Sequence, residues 1–131
     1  MNSMKRTLLI TGSLIGLLAV ILGAFGAHGL KESLTPEALT SFETGVRYQI
    51  YHAFLMLLAG AALPLSAKTL KWVYILLLSG IILFSGSIYL LTTKSLTGID
   101  ITPIAWITPI GGALLIFAWI AIATSFIKSA K

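Results

Sequence analysis

Apolar residues gather in four long runs along the chain, and charged residues fall between or beside those runs. Thr7–Ala27 is 21 residues without a charge; as a helix rising about 1.5 Å per residue it reaches about 32 Å, close to the ~30 Å hydrocarbon core of a bilayer. Ile50–Leu65, extended outward by Tyr48 and Gln49, is shorter and meets Pro64 at its end. Trp72–Leu91 opens on an interfacial Trp and carries Tyr89 near its close, and Ile104–Ile127 is the longest run, with Trp106 and Trp119 inside it. In lipid each run must be helical, because an unpaired backbone N–H or C=O there costs several kcal/mol. The pattern predicts an all-α membrane protein: a bundle of four transmembrane helices in a single membrane domain (1–131), with spans at about 7–27, 48–65, 72–92 and 104–127.

The connections refine this picture. Between the first two runs, Thr35-Pro36-Glu37 has the form of a helix start, with Thr35 as N-cap and Pro36 at the first helical position. Leu39, Phe42 and Val46 recur at helical spacing, and Glu43 and Arg47 stand four apart. This predicts a short amphipathic helix over about 36–47 at the outer surface that bends or runs straight into span two, with Gly45 the natural place for a bend. The third connection repeats Ile-Thr-Pro-Ile at 101–104 and 107–110, so helix four starts at Pro103 and is kinked, or starts at Pro109 and is straight. No longer repeat suggests an inverted-repeat transporter.

Charge orients the chain. Lys5 and Arg6, Lys68 and Lys71, and Lys128 and Lys131 lie on one side of the four runs; Lys31, Arg47 and Lys94 lie on the other with all four acids, Glu32, Glu37, Glu43 and Asp100. The positive-inside rule places the first side, and both termini, in the cytoplasm of a plasma-membrane protein. Met1–Arg6 and Ala24-Phe25-Gly26 have features of a signal peptide, but a signal h-region has only ~7–15 residues, so the first run reads as a retained span.

Composition then removes whole classes of function. With 57% hydrophobic and 10% charged residues and a mean hydropathy of +0.99, the chain cannot build a water-facing surface. It has no Cys, which excludes disulfides and thiolate chemistry. The net charge of +5 is spread over run ends without a basic face, so it serves membrane anchoring and not nucleic acid. No acidic or basic residue lies mid-span. The membrane-embedded carboxylate on which small multidrug exporters rely is therefore absent, and proton-coupled transport is disfavoured. There is no phosphate-binding Gly loop, no Gly-x-Ser-x-Gly turn and no HExxH.

Two constellations remain. Small residues line the runs: Gly12, Gly16 and Gly23 with Gly26, then Gly80 and Gly86, then Gly111 and Gly112. Such stripes let helices approach closely in lipid and predict tight packing within the bundle, with any face left over free for self-association. The second is polar. His28 ends span one and His52 begins span two, with Glu32, Glu43, Arg47, Tyr48, Gln49 and Tyr51 around them, a candidate cluster near the outer face. It has the chemistry to ligate a metal ion, hold a haem between histidines, or grip a quinone or lipid headgroup. The plainer alternative is an interfacial belt of Tyr and His beside a Glu43–Arg47 pair. The order Glu43, Arg47, His52 is weakly similar to glutamate-type intramembrane proteases, which need further His and acidic residues that spans three and four lack. The residues specify no cofactor and no catalytic set.

Four motifs, Gly23-Ala-Phe-Gly-Ala-His-Gly-Leu30, Tyr48-Gln-Ile-Tyr-His52, Phe84-Ser-Gly-Ser-Ile-Tyr89 and Ile107-Thr-Pro-Ile-Gly-Gly112, touch all four runs in order. Together they resemble domain-of-unknown-function family 423, small uncharacterised bacterial membrane proteins with mitochondrial relatives in animals. The resemblance implies a plasma-membrane protein of about this length and span count, and places His28, Tyr48 and His52 at motif positions. It carries over no activity and no catalytic residue. The expected function is that of an interaction or accessory protein acting through itself or a larger membrane complex. A ligand-binding module at the polar cluster, and an oligomeric channel or transporter, are the alternatives.

Overall fold

The computed structural model describes residues 2–129; Lys131, counted above in the charge asymmetry, lies outside them. Every regular element among the described residues is helical. Four long helices follow one another: α1 (Ser3–Leu30), α2 (Pro36–Ala61), α3 (Ala67–Thr92) and α4 (Ile107–Ser129). By length and composition α1, α3 and α4 are apolar enough to cross a membrane. One helical turn at Lys94–Thr97 and a 3-10 turn at Thr102–Ile104 bridge α3 and α4.

The helix starts follow local chemistry. Asn2 Oδ1 accepts from the Lys5 amide at 2.7 Å, Thr35 Oγ1 from the Ala38 amide at 3.2 Å, and Ser66 Oγ from the Thr69 amide at 3.1 Å. Each side chain satisfies one of the orphan donors of a helix N-terminus. Pro36 occupies the first turn of α2, as its sequence context predicts.

Several boundaries differ from the sequence expectation. Of the two courses open to residues 36–47, the straight one is found: they are the opening turns of an unbroken α2. Gly45 is no bend, because it is buried inside that helix where a Cβ would come within 2.9 Å of the Tyr89 ring. α2 ends at Ala61, short of the predicted 65, and Leu63–Leu65 turns toward α3. The fourth helix starts at Ile107, with Pro109 in its first turn. There a missing N–H costs nothing, while Pro103 belongs to the separate 3-10 turn.

The helices pack as two antiparallel hairpins. In the first, α1 lies along α2: a Cβ on Gly60 would strike the Lys5 carbonyl, one on Gly12 would meet Met56 and Ala53, and one on Gly26 would meet the Phe42 ring. In the second, Gly80 faces Leu115, and Gly111 sits directly on the α3 backbone at Leu83 and Phe84. The small-residue stripes of α1, α3 and α4 are thus used mainly inside the bundle. One apolar core joins the hairpins, with Leu8 and Ile15 of α1, Met56 of α2, Leu70 and Leu77 of α3, and Leu115 and Ile122 of α4. A smaller cluster of Leu30, Leu34 and Phe42 closes the other end.

Candidate functional site

α2 carries the most polar sequence of the four long helices and buries one face of it against the bundle. Gln49 and His52 are each 5% exposed, and both are bonded across helices. Gln49 Nε2 donates to the Ile15 carbonyl of α1 at 2.9 Å, and its Oε1 accepts from the Tyr89 hydroxyl of α3 at 2.6 Å. One amide side chain therefore ties three helices. Nearby, Ser85 Oγ donates to the Gly45 carbonyl at 2.7 Å, joining α3 to α2. Ser87 and Thr108 share a 2.6 Å hydrogen bond between α3 and α4.

His52 joins α2 to α4. Its Nδ1 lies 2.6 Å from the Tyr48 carbonyl, and its Nε2 lies 3.1 Å from the Trp119 indole nitrogen. Indole can only donate and a carbonyl can only accept. Both bonds form together only when the proton sits on Nδ1 and Nε2 is the acceptor, which makes His52 a neutral imidazole with both nitrogens engaged.

Two π turns occur: Gly26–Leu30 closes α1, and Ile82–Gly86 interrupts α3. The second brings Ser85 to the Gly45 carbonyl and presents the Leu83–Phe84 backbone to Gly111. π turns are a recurrent feature of functional sites; here this one lies where Gly111 of α4 packs on the α3 backbone.

The seven residues of the sequence-predicted cluster do not converge. Tyr48, Tyr51 and His52 line one lateral groove, described below. His28, on the π turn of α1, and Glu32, Glu43 and Arg47 are exposed and are not among the residues lining it. Gly26 of α1 packs level with Phe42 of α2, so His28 stands beyond that level while His52 is ten residues further along α2. The Arg47 guanidinium donates to the Thr44 hydroxyl at 3.0 Å. Among the described residues no three His or acidic side chains gather as a metal site would require.

The groove opens between α2, α3 and α4, with a volume of about 640 Å³, and is lined by Tyr48, Tyr51, His52, Phe84, Gly112, Leu115, Ile116 and Trp119. Its aromatic wall is continuous. The Tyr48 ring lies 4.9 Å from Phe84, 6.0 Å from Tyr51 and 6.1 Å from His52, nearly parallel to it; His52 meets Trp119 edge-on at 6.1 Å. Sequence reasoning found the α2 members and missed Trp119 and Phe84. It also missed the Gln49–Tyr89 bond, whose only signal is that Gly45, Gln49, His52, Met56 and Gly60 recur at helical spacing on one face of α2.

Fold and site define a small all-α membrane protein whose polar side chains link its helices and line one lateral groove. Residues 22–112 match the family model described as protein of unknown function (DUF423). The chain is 42% identical over 128 residues to the UPF0382 membrane protein YwdK of Bacillus subtilis, covering 94% of this chain and 98% of that protein. Similar UPF0382 membrane proteins occur in Staphylococcus aureus (38% over 125 residues; 95% and 98% covered) and Haemophilus influenzae (38% over 126 residues; 96% and 98% covered). The chain belongs to this family, as its motifs suggested. No solved structure matches it.

Proposed function

We propose that the protein crosses the plasma membrane four times, with both termini cytoplasmic, and works there by binding, as an interaction or accessory protein. Support for the second crossing comes from packing. α2 runs antiparallel to α1 from the level of Lys5 to that of Gly26, and its 26 residues extend about 39 Å. Of the polar residues that lower its hydropathy, Gln49 and His52 are shielded from lipid by the bundle, while Glu37, Glu43 and Arg47 are exposed in its N-terminal half. A helix that lies along a membrane-spanning neighbour for its whole length spans with it. The excess of Lys and Arg at the α1 N-terminus, the α2–α3 turn and the α4 C-terminus supports the orientation.

The observation that carries the binding reading is the state of the buried polar groups. Among the described residues, every buried side-chain nitrogen and oxygen has a hydrogen-bond partner, and Gln49, His52, Ser85 and Ser87 are all committed to holding helices together. None is left poised to attack or to carry a proton, whereas wide apolar faces of α1 and α4 point outward, including Leu14, Leu18 and Ile21, and Phe117 and Ile120. Affinity purification of a tagged chain from its native membranes in mild detergent, with identification of what accompanies it, is the direct test. A stoichiometric membrane partner or a homo-oligomer is expected. A chain that purifies alone, as a monomer, overturns the reading.

A second reading rests on the groove: a ligand-binding module narrowed from the seven-residue cluster to Tyr48, Tyr51 and His52, completed by Phe84 and Trp119. Its ligand is considered next.

A further inference from the structure

We infer that the groove between α2, α3 and α4 binds the ring of an isoprenoid quinone, a neutral flat ring bearing carbonyl oxygens on a long apolar tail. This deepens the ligand-binding reading and rests on the four-crossing arrangement.

Depth is the first argument. The charge-free run Thr7–Ala27 of α1 has Leu17 at its midpoint. Gln49 bonds the carbonyl of Ile15, and Gly16 packs beside Ile50 and Ala53. Residues 48–52 of α2 therefore sit near mid-bilayer, and the exposed Arg47 beside them reaches back one turn toward the outer end of α2, to the Thr44 hydroxyl. α4 gives the same level independently, since Trp119 is next to the midpoint of Ile107–Ser129 and bonds His52. Tyr and Trp ordinarily stand at the interfaces, and from mid-depth the interface is about 15 Å away, beyond the reach of a tyrosine.

Polarity is the second. Tyr48 is 41% and Tyr51 54% exposed, and neither hydroxyl bonds another described residue, while His52 and Trp119 satisfy each other. Two phenol donors thus face hydrocarbon, where an unmet polar group is costly. Phospholipid headgroups lie at the wrong depth, and acyl chains carry no acceptor at mid-bilayer. The occupant must reside in the hydrocarbon and bring acceptors there.

Shape and charge narrow the class. Tyr48, Phe84, Trp119 and Tyr51 offer aromatic faces and edges for a flat ring, and Gly112 leaves the α4 side of the groove low. No charged side chain lines it, and the nearby Arg47 guanidinium is turned back to the Thr44 hydroxyl, so the ligand is neutral. The volume of about 640 Å³ falls in the usual range for small-molecule sites, and the groove opens sideways, where a tail can continue into lipid.

The test uses a Trp72→Phe/Trp106→Phe chain in phosphatidylcholine nanodiscs, so that Trp119 is the sole fluorophore among the three Trp. Titration with a benzoquinone carrying one isoprene unit is expected to quench Trp119 saturably. Tyr48→Phe/Tyr51→Phe removes two hydroxyls without opening a packed contact, and should weaken binding about tenfold or more, the loss expected for two hydrogen bonds. Linear, collisional quenching, or equal affinity in the double variant, overturns the proposal. So does equal binding of the same ring system without carbonyls, which would make the groove a generic apolar cleft. A separate arm tests the depth: nitroxide on the lipid mid-chain should quench Trp119 more than nitroxide on the headgroup. The reverse order would overturn the four-crossing arrangement, whatever the quinone titration gives.

Discussion

The Trp119 indole donates to Nε2 of His52 across 3.1 Å, so the one buried histidine of the bundle is held as a neutral acceptor between α2 and α4. Trp119→Phe keeps the ring but removes the donor, leaving a nearly buried Nε2 unpaired. We expect a loss of about 1–2 kcal/mol in unfolding free energy, read by thermal or SDS titration in detergent. His52→Leu/Trp119→Phe should cost less than the sum of the single changes, with a coupling of about 0.6–1.7 kcal/mol. Strict additivity would show that the pair contributes nothing as a pair.

Tyr89 and Gln49 form the matching link between α3 and α2. Tyr89→Phe strands only Oε1 of Gln49, whereas Gln49→Leu removes both of its bonds and leaves the Tyr89 hydroxyl without its acceptor. Each should destabilise by about 1–3 kcal/mol. If Gln49→Leu is instead neutral, lipid-phase alternatives for these groups are as good as the native ones.

How much of this was legible beforehand depends on what each feature answers to. The long helices were legible because lipid compels any sufficiently long apolar run to be helical. The α2 start was legible because Thr35 and Pro36 act within one turn. Registers between helices were not, since they depend on where side chains from distant runs meet. His52 looked like an outer-face residue because it stands near the start of an apolar run. In the bundle it is buried and bonded to Trp119 of α4, and α2 runs unbroken through residues 36–47 to reach it. Gln49, Ser85 and Trp119 each look like incidental polar residues in apolar runs until the partner helix is in view.

Gly111 and Gly86 should respond oppositely to the same change. A Cβ on Gly111 would overlap the Phe84 amide nitrogen and lie 2.7 Å from the Leu83 carbonyl carbon, both backbone atoms that cannot rotate away. Gly111→Ala must push α3 and α4 apart, and we expect at least the 1–3 kcal/mol usual for overpacking, seen as a lower melting temperature and poor yield. Gly86 has nothing within 4 Å of its Cβ position and right-handed helical angles. Gly86→Ala should be neutral or stabilising by up to about 1 kcal/mol. Equal effects at the two sites would refute the close α3–α4 contact.

Asp100, in the connection between α3 and α4, titrates below the ordinary carboxylate range. The Thr102 hydroxyl donates to its Oδ1, the Thr102 amide does so at 2.9 Å, and Lys94 adds a smaller attraction. A lowered folded-state pKa means that the contribution to stability is present above the unfolded value and fades as the pH falls through the folded one. Carboxyl carbon shifts in an NMR titration should place Asp100 below a model carboxylate, and Thr102→Val should raise its pKa toward the ordinary value. Because the group is fully exposed, only the connection, and not the bundle, should respond. Global melting that followed Asp100 would contradict this.

The arrangement of the helices in the membrane makes a final, sharper demand. The chain has no Cys, so single cysteines report topology without background. Ser33 lies in the exposed turn between α1 and α2, and Ser66 caps α3 in the turn after α2. If α2 crosses, these two positions face opposite sides, although only 33 residues separate them. In intact cells a membrane-impermeant maleimide should label Ser33→Cys at once and Ser66→Cys only after the membrane is opened. Labelling of both from outside would mean that α2 does not cross. Labelling of Ser66→Cys alone would keep four crossings but invert them, placing the acidic connections in the cytoplasm against the charge asymmetry of the chain.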